Sequence, residues 1–311
     1  MMKVMVAGAT GAVGQRVVSR LVAAGHDVLA LARRPTGADR VRARGAVPVA
    51  ADIMDGDGLI RALNGRELDG IVHQATAISG MPRRHSDLDA TDALRDEGTR
   101  NLLRAGQALG VRRFVTQSFF LGYGWQDHGY EPLTEDKPFG VEVGGKFDAH
   151  LRSLRSNEDQ VLASEGGVAL RYGLFYGPDA MTRTLLRLCR RRVMPAPRPA
   201  GTLHPIHVDD AADAAVAALE RGRAGQAYNV VDDQPVGMDE YLDAMASAAG
   251  ARRPLRVPAS LLRPWPYLHA LLTAVHIRLS NDKAKYELGW RPRFPSCREG
   301  LTALAGEAFD D

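Results

Sequence analysis

Gly8, Gly11 and Gly14 recur at three-residue spacing directly after the apolar run of residues 4–7, and an amphipathic stretch follows them. That order reads as strand, tight turn and helix start. Gly8 turns the chain sharply off the strand, Gly11 removes a side chain where backbone must approach a pyrophosphate, and Gly14 lets the helix pack closely on the sheet. An anion would meet unpaired N–H groups and the positive end of the helix dipole, with Thr10, Ala12 and Val13 around it. Glycine-rich turns also occur without a ligand, so the inference rests on the strand–turn–helix setting rather than on the glycines alone.

The residues that would meet the rest of a dinucleotide follow in order. Residues 27–32 read as a second strand ending at Arg33-Arg34-Pro35. An acid at that place would accept from the 2′-hydroxyl of NAD, but the chain offers two arginines, planar cations suited to a 2′-phosphate. NADP(H) is therefore expected over NAD(H), against the plainer reading of a solvated basic turn. After a third strand at 46–51, Asp52 and Ile53 can flank an adenine ring, and Asp55 can cap the helix at 58–63. A fourth strand at 68–72 runs into His73, Gln74, Ala75 and Thr76, where small residues let a loop approach a cofactor; His73 reads as structural.

Proton-transfer candidates come later. From Ser118 the chain turns aromatic and glycine-rich through residue 130, as suits a substrate loop at the carboxyl edge of a parallel sheet. Ser118, Tyr123 and His150 are the candidate donors, with Lys146 weaker. An imidazole with an ordinary pKa of about 6.5 titrates near working pH, although an exposed helix histidine is an equal reading of His150. Residues 204–210 superficially offer metal ligands. Asp209 reads instead as a helix N-cap before the alanine-rich stretch 211–220, so no metal is expected.

The elements that must hold these residues alternate as strand and helix, with helices near 38–44, 86–109 and 146–164 and strands near 111–117 and 167–171. That rhythm implies an α/β fold with a parallel sheet and right-handed crossovers. The 311 residues are 45% hydrophobic and 25% charged, with a formal charge of +3. So small a charge, with no interleaved basic and aromatic residues, gives no case for nucleic acid. No apolar run approaches the roughly 20 residues that span a bilayer. Cys189 and Cys297 match no metal or redox spacing, which points to a reduced cytoplasmic compartment.

Several stretches together resemble the extended short-chain dehydrogenase/reductase superfamily, the NAD(P)-dependent epimerase/dehydratase group. They are residues 8–14, Arg113-Phe114-Val115 before Ser118, residues 170–178, residues 207–212, Tyr228-Asn229-Val230, and Lys283 with residues 288–292, in family order over nearly the whole chain. The resemblance implies a Rossmann doubly wound parallel sheet at residues 1–175 and a small C-terminal α/β substrate lobe at 176–311, with segments near 203–231 returning to the core. It implies cofactor contacts from the glycine turn, Arg33, Asp52, Ile53, Ala75, Thr76, Ser118 and the backbone near Tyr172. A homodimer through the helices at 86–109 and 146–164 is also implied. The family's tyrosine position falls on His150, its lysine on Leu154 and its Ser/Thr partner on Phe119. The expected activity is an NADP-dependent oxidoreductase acting on a small or medium apolar substrate with a non-standard proton donor. An epimerase or dehydratase, and a non-catalytic dinucleotide sensor, are the alternatives.

Overall fold

The computed structural model describes residues 1–78 and 80–305. Its central sheet has seven strands, all parallel, in the order Gln226–Val230, Gly167–Tyr172, Arg113–Phe119, Gly70–His73, Lys3–Ala7, Asp27–Leu31, Val47–Val49. Chain progression reverses direction between Lys3–Ala7 and Gly70–His73, which pair in register from Val4 opposite Gly70 to Ala7 opposite His73. A doubly wound sheet opens a crevice at the carboxyl ends of the strands flanking such a reversal.

Both faces of this sheet are covered, so central strands such as Lys3–Ala7 and Gly70–His73 are buried on both sides rather than alternating in and out. Val4 and Val6 pack with Val17, Leu21 and the helix Val208–Arg221. Met5 and Ala7 point the other way, onto Leu59, Leu63, Leu102 and Phe114. Ala211, Ala212, Ala214, Ala215 and Ala218 are buried in that first layer. Their small side chains let Val208–Arg221 lie close to Gly14–Ala23, and the pairs Arg16–Asp209 (2.8 Å) and Arg20–Asp213 (2.6 Å) tie the two helices. A further core gathers Phe120, Tyr176, Leu186, Met245 and Leu301 from segments beyond the fifth strand.

Several boundaries differ from the sequence reading in ways that matter for the site. The strand expected at 111–117 is Arg113–Phe119, so Ser118 and Phe119 stand on its rigid carboxyl end rather than in a loop. The helix expected at 86–109 is interrupted by a π-helical turn at Leu94–Gly98, between Asp89–Ala93 and Thr99–Ala108. Asp55 does cap its helix, accepting from the Gly58 N–H at 2.9 Å. Asp209 does not cap the helix that follows it. His207 occupies the cap of Val208–Arg221 and its Nδ1 accepts from the Asp209 N–H at 3.2 Å, which frees the Asp209 carboxylate for Arg16.

Candidate active site

The glycine turn is a close-packed object. Gly8 has φ +79°, and a Cβ there would lie 2.4 Å from the Gln74 carbonyl carbon. A Cβ on Gly14 would lie 2.1 Å from the Gly8 carbonyl oxygen, so turn and helix touch through backbone alone. Gly11 differs. Its N–H donates to the Gly8 carbonyl at 2.9 Å, a Cβ there would meet only the Gly8 oxygen at 3.3 Å, and Thr10, Gly11 and Ala12 are exposed. The helix Gly14–Ala23 has no side-chain cap and no acid in its first turn. An uncapped helix start behind a bare backbone ridge fits a pyrophosphate.

A cavity of about 540 Å³ opens in front of this ridge. Gly8, Thr10, Gly11, Ala12 and Val13 form one wall, with Arg33, Asp52 and Ile53 at that end. Gln74, Ala75, Thr76 and Ser118 continue the wall from the neighbouring strands. Arg33 Nη1 lies 3.3 Å from an Asp52 carboxylate oxygen, and both side chains are exposed. An exposed pair of this kind is held weakly, which leaves the guanidinium able to turn to a phosphate. A dinucleotide therefore fits these residues: bare backbone and a helix start for its phosphates, a free-turning cation at the ribose end.

Three expected cofactor contacts are not on the wall. Gly14 lies behind Gly8, where its contribution is the close approach itself. Arg34 is exposed, extended at the start of the helix Pro35–Arg42 and off the cavity. Tyr172 is fully buried; its hydroxyl accepts from Gln74 Nε2 and donates to the Ala211 carbonyl, both at 3.3 Å, and burial pushes its pKa up. It supports the floor beneath Gln74 rather than facing the cavity.

The other end of the cavity is apolar and aromatic, lined by Phe119, Trp125, His150, Leu154, Tyr267 and Leu271. His150 and Leu154 stand one turn apart on Asp148–Leu162, both buried and both on the wall. The two imidazole nitrogens of His150 are engaged: Nδ1 lies 2.5 Å from Asp92 Oδ2 and Nε2 lies 3.0 Å from His85 Nδ1. Ser153 Oγ donates to the second Asp92 oxygen at 2.7 Å. His150 and Ser153 together hold the Asp92 carboxyl below its ordinary range, although burial opposes them. His85 is half-buried; burial, then His150 and Lys146, lower its pKa. Lys146 itself is exposed and off the cavity wall. Ser118 faces the cavity 4% exposed, its hydroxyl without a partner among the described residues.

Tyr123 is corrected. Its hydroxyl accepts from Arg171 Nη1 at 2.8 Å and bonds the Asn229 side-chain oxygen at 2.9 Å, away from the cavity. Burial pushes its pKa up to about 12, so it neither faces the site nor gives up a proton readily. Arg171 in turn is held by Glu158 at 2.8 Å in the interior. His204 and His207 serve structure as well: His204 Nδ1 accepts from the Leu279 N–H at 2.9 Å, and His207 caps its helix.

Sequence reasoning missed His85, Asp92, Arg95 and Tyr267. Asp92 and Arg95 lie in the stretch expected only as a helix at 86–109. Their three-residue spacing marks a charged pair on one helical face, here buried toward the cavity at 3.3 Å. Nothing local in the sequence joins His85 to His150, 65 residues away.

A phosphate cradle at the reversal point of a doubly wound sheet, opening into one cavity with an apolar far end, defines an NAD(P)-dependent oxidoreductase of the short-chain dehydrogenase/reductase type. The chain belongs to the NAD dependent epimerase/dehydratase family, whose sequence model matches residues 4–231. It is 37% identical over 313 residues, 96% of this chain and 99% of the relative, to the 3-diazoavenalumate denitrifying reductase of a Streptomyces species. It is 28% identical to the 2-alkyl-3-oxoalkanoate reductase of Stenotrophomonas maltophilia, over 97% of this chain and 98% of that one. Among solved structures it is similar to UDP-glucose 4-epimerase of Thermus thermophilus in complex with NAD. The TM-score is 0.76, at 25% identity over 98% of both chains. The fold also matches UDP-glucose 4-epimerase of Thermotoga maritima with UDP-glucose, with a TM-score of 0.77 at 20% identity over 98% of this chain and 97% of that one.

Proposed function

We propose that this protein is an NADP(H)-dependent reductase of a small or medium, largely apolar organic substrate. The observation that carries the reading is the shared cavity, in which the glycine ridge and Arg33 line the same space as Ser118, His150 and the aromatic end. The bound nicotinamide supplies the hydride chemistry. The chain's own residues orient the two reactants, keep water out with Phe119, Trp125 and Leu154, and manage a proton. Thr10, Gly11 and Ala12 hold the pyrophosphate by backbone, Asp52 and Ile53 flank the adenine, and Arg33 leaves Asp52 for the 2′-phosphate.

Ser118 is the hydroxyl free to donate to a substrate atom. His150 acts through the array it belongs to: Asp92 fixes its tautomer and orientation, and half-buried His85 links it toward solvent. Residues 1–175 carry the dinucleotide in this reading and residues 176–311 mainly the substrate. A cytoplasmic location and a homodimer across the stretches 86–109 and 146–164 accompany it.

Similarity to a reductase named for a diazo compound and to one named for an oxoalkanoate supports trying diazo compounds beside ketones and enones. Purified protein is mixed with NADPH and each compound, and NADPH oxidation is followed. The reading expects substrate-dependent oxidation by at least one class, falling by about 100-fold in Ser118→Ala and in His150→Ala. NADPH bound but never consumed across the panel favours the dinucleotide sensor. A product isomerised or dehydrated with no net NADPH loss favours the epimerase or dehydratase.

A further inference from the structure

Four charged side chains line the cavity among the described residues: Arg33, Asp52, Arg95 and Asp179. Arg33 and Asp52 face each other at the adenosine end. Asp179 has its oxygens committed to the start of the helix Ala180–Arg190, accepting from the Met181 N–H at 2.7 Å, the Thr182 N–H at 3.1 Å and Thr182 Oγ at 2.8 Å. Arg95 is different. It is 8% exposed at the aromatic end, and among the described residues its guanidinium makes one side-chain hydrogen bond, Nη1 to Asp92 at a long 3.3 Å. The Asp92 carboxylate is already bonded more closely by His150 and Ser153. A guanidinium carries five N–H donors in a planar fork, and with one long contact to the protein most of that fork is left to whatever fills the cavity that Arg95 lines.

Two more donors stand in the same chamber. The indole N–H of Trp125 is buried without a partner among the described residues, and the Trp125 ring packs edge-on against Tyr267 at 5.0 Å between centroids. Tyr267 is buried close enough to Arg95 for the two groups to shift each other's titration, and it lines the cavity. Arg95 is carried by the π-helical turn Leu94–Gly98, and a second such turn, Ala270–Ala274, carries Leu271 on the same wall. Isolated π turns are commonly kept where a helix must present a side chain to a site.

We infer that Arg95, assisted by Trp125 Nε1 and the Tyr267 hydroxyl, anchors a carboxylate on the substrate, so that the enzyme takes apolar or aromatic carboxylic acids in their anionic form. The inference rests on the proposed reductase reading and names the substrate class of that same cavity. A planar carboxylate matches the guanidinium fork, and the aromatic walls around it bury the apolar body of the acid. The anchor also orients: a substrate held by Arg95 at the inner end has its remaining length directed toward Ser118 and the dinucleotide wall.

The test uses NADPH-loaded full-length protein, with 3-phenylpropanoate and its methyl ester as probes and titration calorimetry as the measurement. The acid is expected to bind about tenfold more tightly than the ester, as loss of one charge-assisted contact implies. Arg95→Gln erases that difference while leaving NADPH affinity unchanged, and Arg95→Lys, which keeps the charge without the fork, retains part of it. Acid and ester binding alike to the wild type overturns the anchor, as does no binding of the acid, or a preference for the acid that survives in Arg95→Gln. Failure of the wild type to bind NADPH strikes the reductase reading instead, so the two failures are distinguishable.

Discussion

His150, on the cavity wall, is joined to Asp92 behind it by a 2.5 Å contact between Nδ1 and Oδ2, and the array continues at 3.0 Å to His85. The His150 imidazole thus has its orientation fixed from one side and is connected toward solvent from the other. Asp92→Asn keeps the shape but no longer favours a proton on Nδ1. Turnover is expected to fall by about 100-fold, with the pH–rate profile displaced and NADPH affinity unchanged. A profile identical to that of the wild type contradicts a role in proton transfer.

Arg33 meets Asp52 across 3.3 Å with both side chains exposed, so little holds it there. Arg33→Ser should weaken NADPH by about tenfold, the value of one charge-assisted contact, and leave NADH nearly unaffected. Equal losses for both cofactors would remove the 2′-phosphate from the account.

Gly14→Ala places a methyl 2.1 Å from the Gly8 carbonyl oxygen, a backbone atom that cannot step aside. A loss of about 1–3 kcal/mol in unfolding free energy is expected, read as a lower urea midpoint. The same change at Gly11, where the nearest atom is 3.3 Å away, costs less stability and more NADPH affinity. An equal loss of stability at both positions would contradict the division of labour in the turn.

Glu158→Gln leaves the buried Arg171 guanidinium without its counter-charge and should cost about 3–5 kcal/mol. Tyr123→Phe, which removes a hydroxyl bonded to Arg171 and Asn229, should cost about 1–3 kcal/mol and leave turnover per folded molecule intact. Lost turnover with preserved stability would return Tyr123 to the active site.

Burial holds His73 at about 4 and His204 at about 3, both below the ordinary 6.5. Each is neutral when folded and takes a proton more readily when unfolded. Each therefore contributes stability that is full above pH 6.5 and is lost as pH falls toward those values. Asp232, whose carboxyl burial pushes well up, works in the opposite sense. Ring-proton resonances are thus the cleaner measurement. Those of His73 and His204 should stay in the neutral position down to pH 5, and a midpoint near 6.5 for either would contradict the burial argument.

The strand–turn–helix unit and the residues it brings to one end of the cavity were legible in the sequence because their signals are local. Gly8, Gly11 and Gly14 sit within one strand–turn–helix unit, and Arg33 and Asp52 close the strands beside it. The far end of the cavity was not, because its contacts are long in sequence: Asp92 to His150 spans 58 residues and Tyr123 to Arg171 spans 48. Tyr123 read as available because its aromatic, glycine-rich stretch suits a substrate loop; the neighbouring strand brings Arg171 against its hydroxyl instead. Asp209 has the side chain of a helix cap, but the helix already includes it, starting at Val208, and His207 takes the cap. The spacing of Arg95 from Asp92 is visible in the sequence, but its burial at the cavity follows from the π turn that carries it, which no local signal announces.

Whether the glycine ridge and the aromatic chamber serve one hydride transfer is read with NADPH deuterated at C4 of the nicotinamide, incubated with the protein and a panel of apolar ketones, enones and diazo compounds, the products being followed by mass spectrometry. Deuterium is expected in the product of at least one class, with NADPH oxidised in equal amount. NADPH that binds tightly yet transfers no deuterium to any of them would contradict a shared hydride transfer.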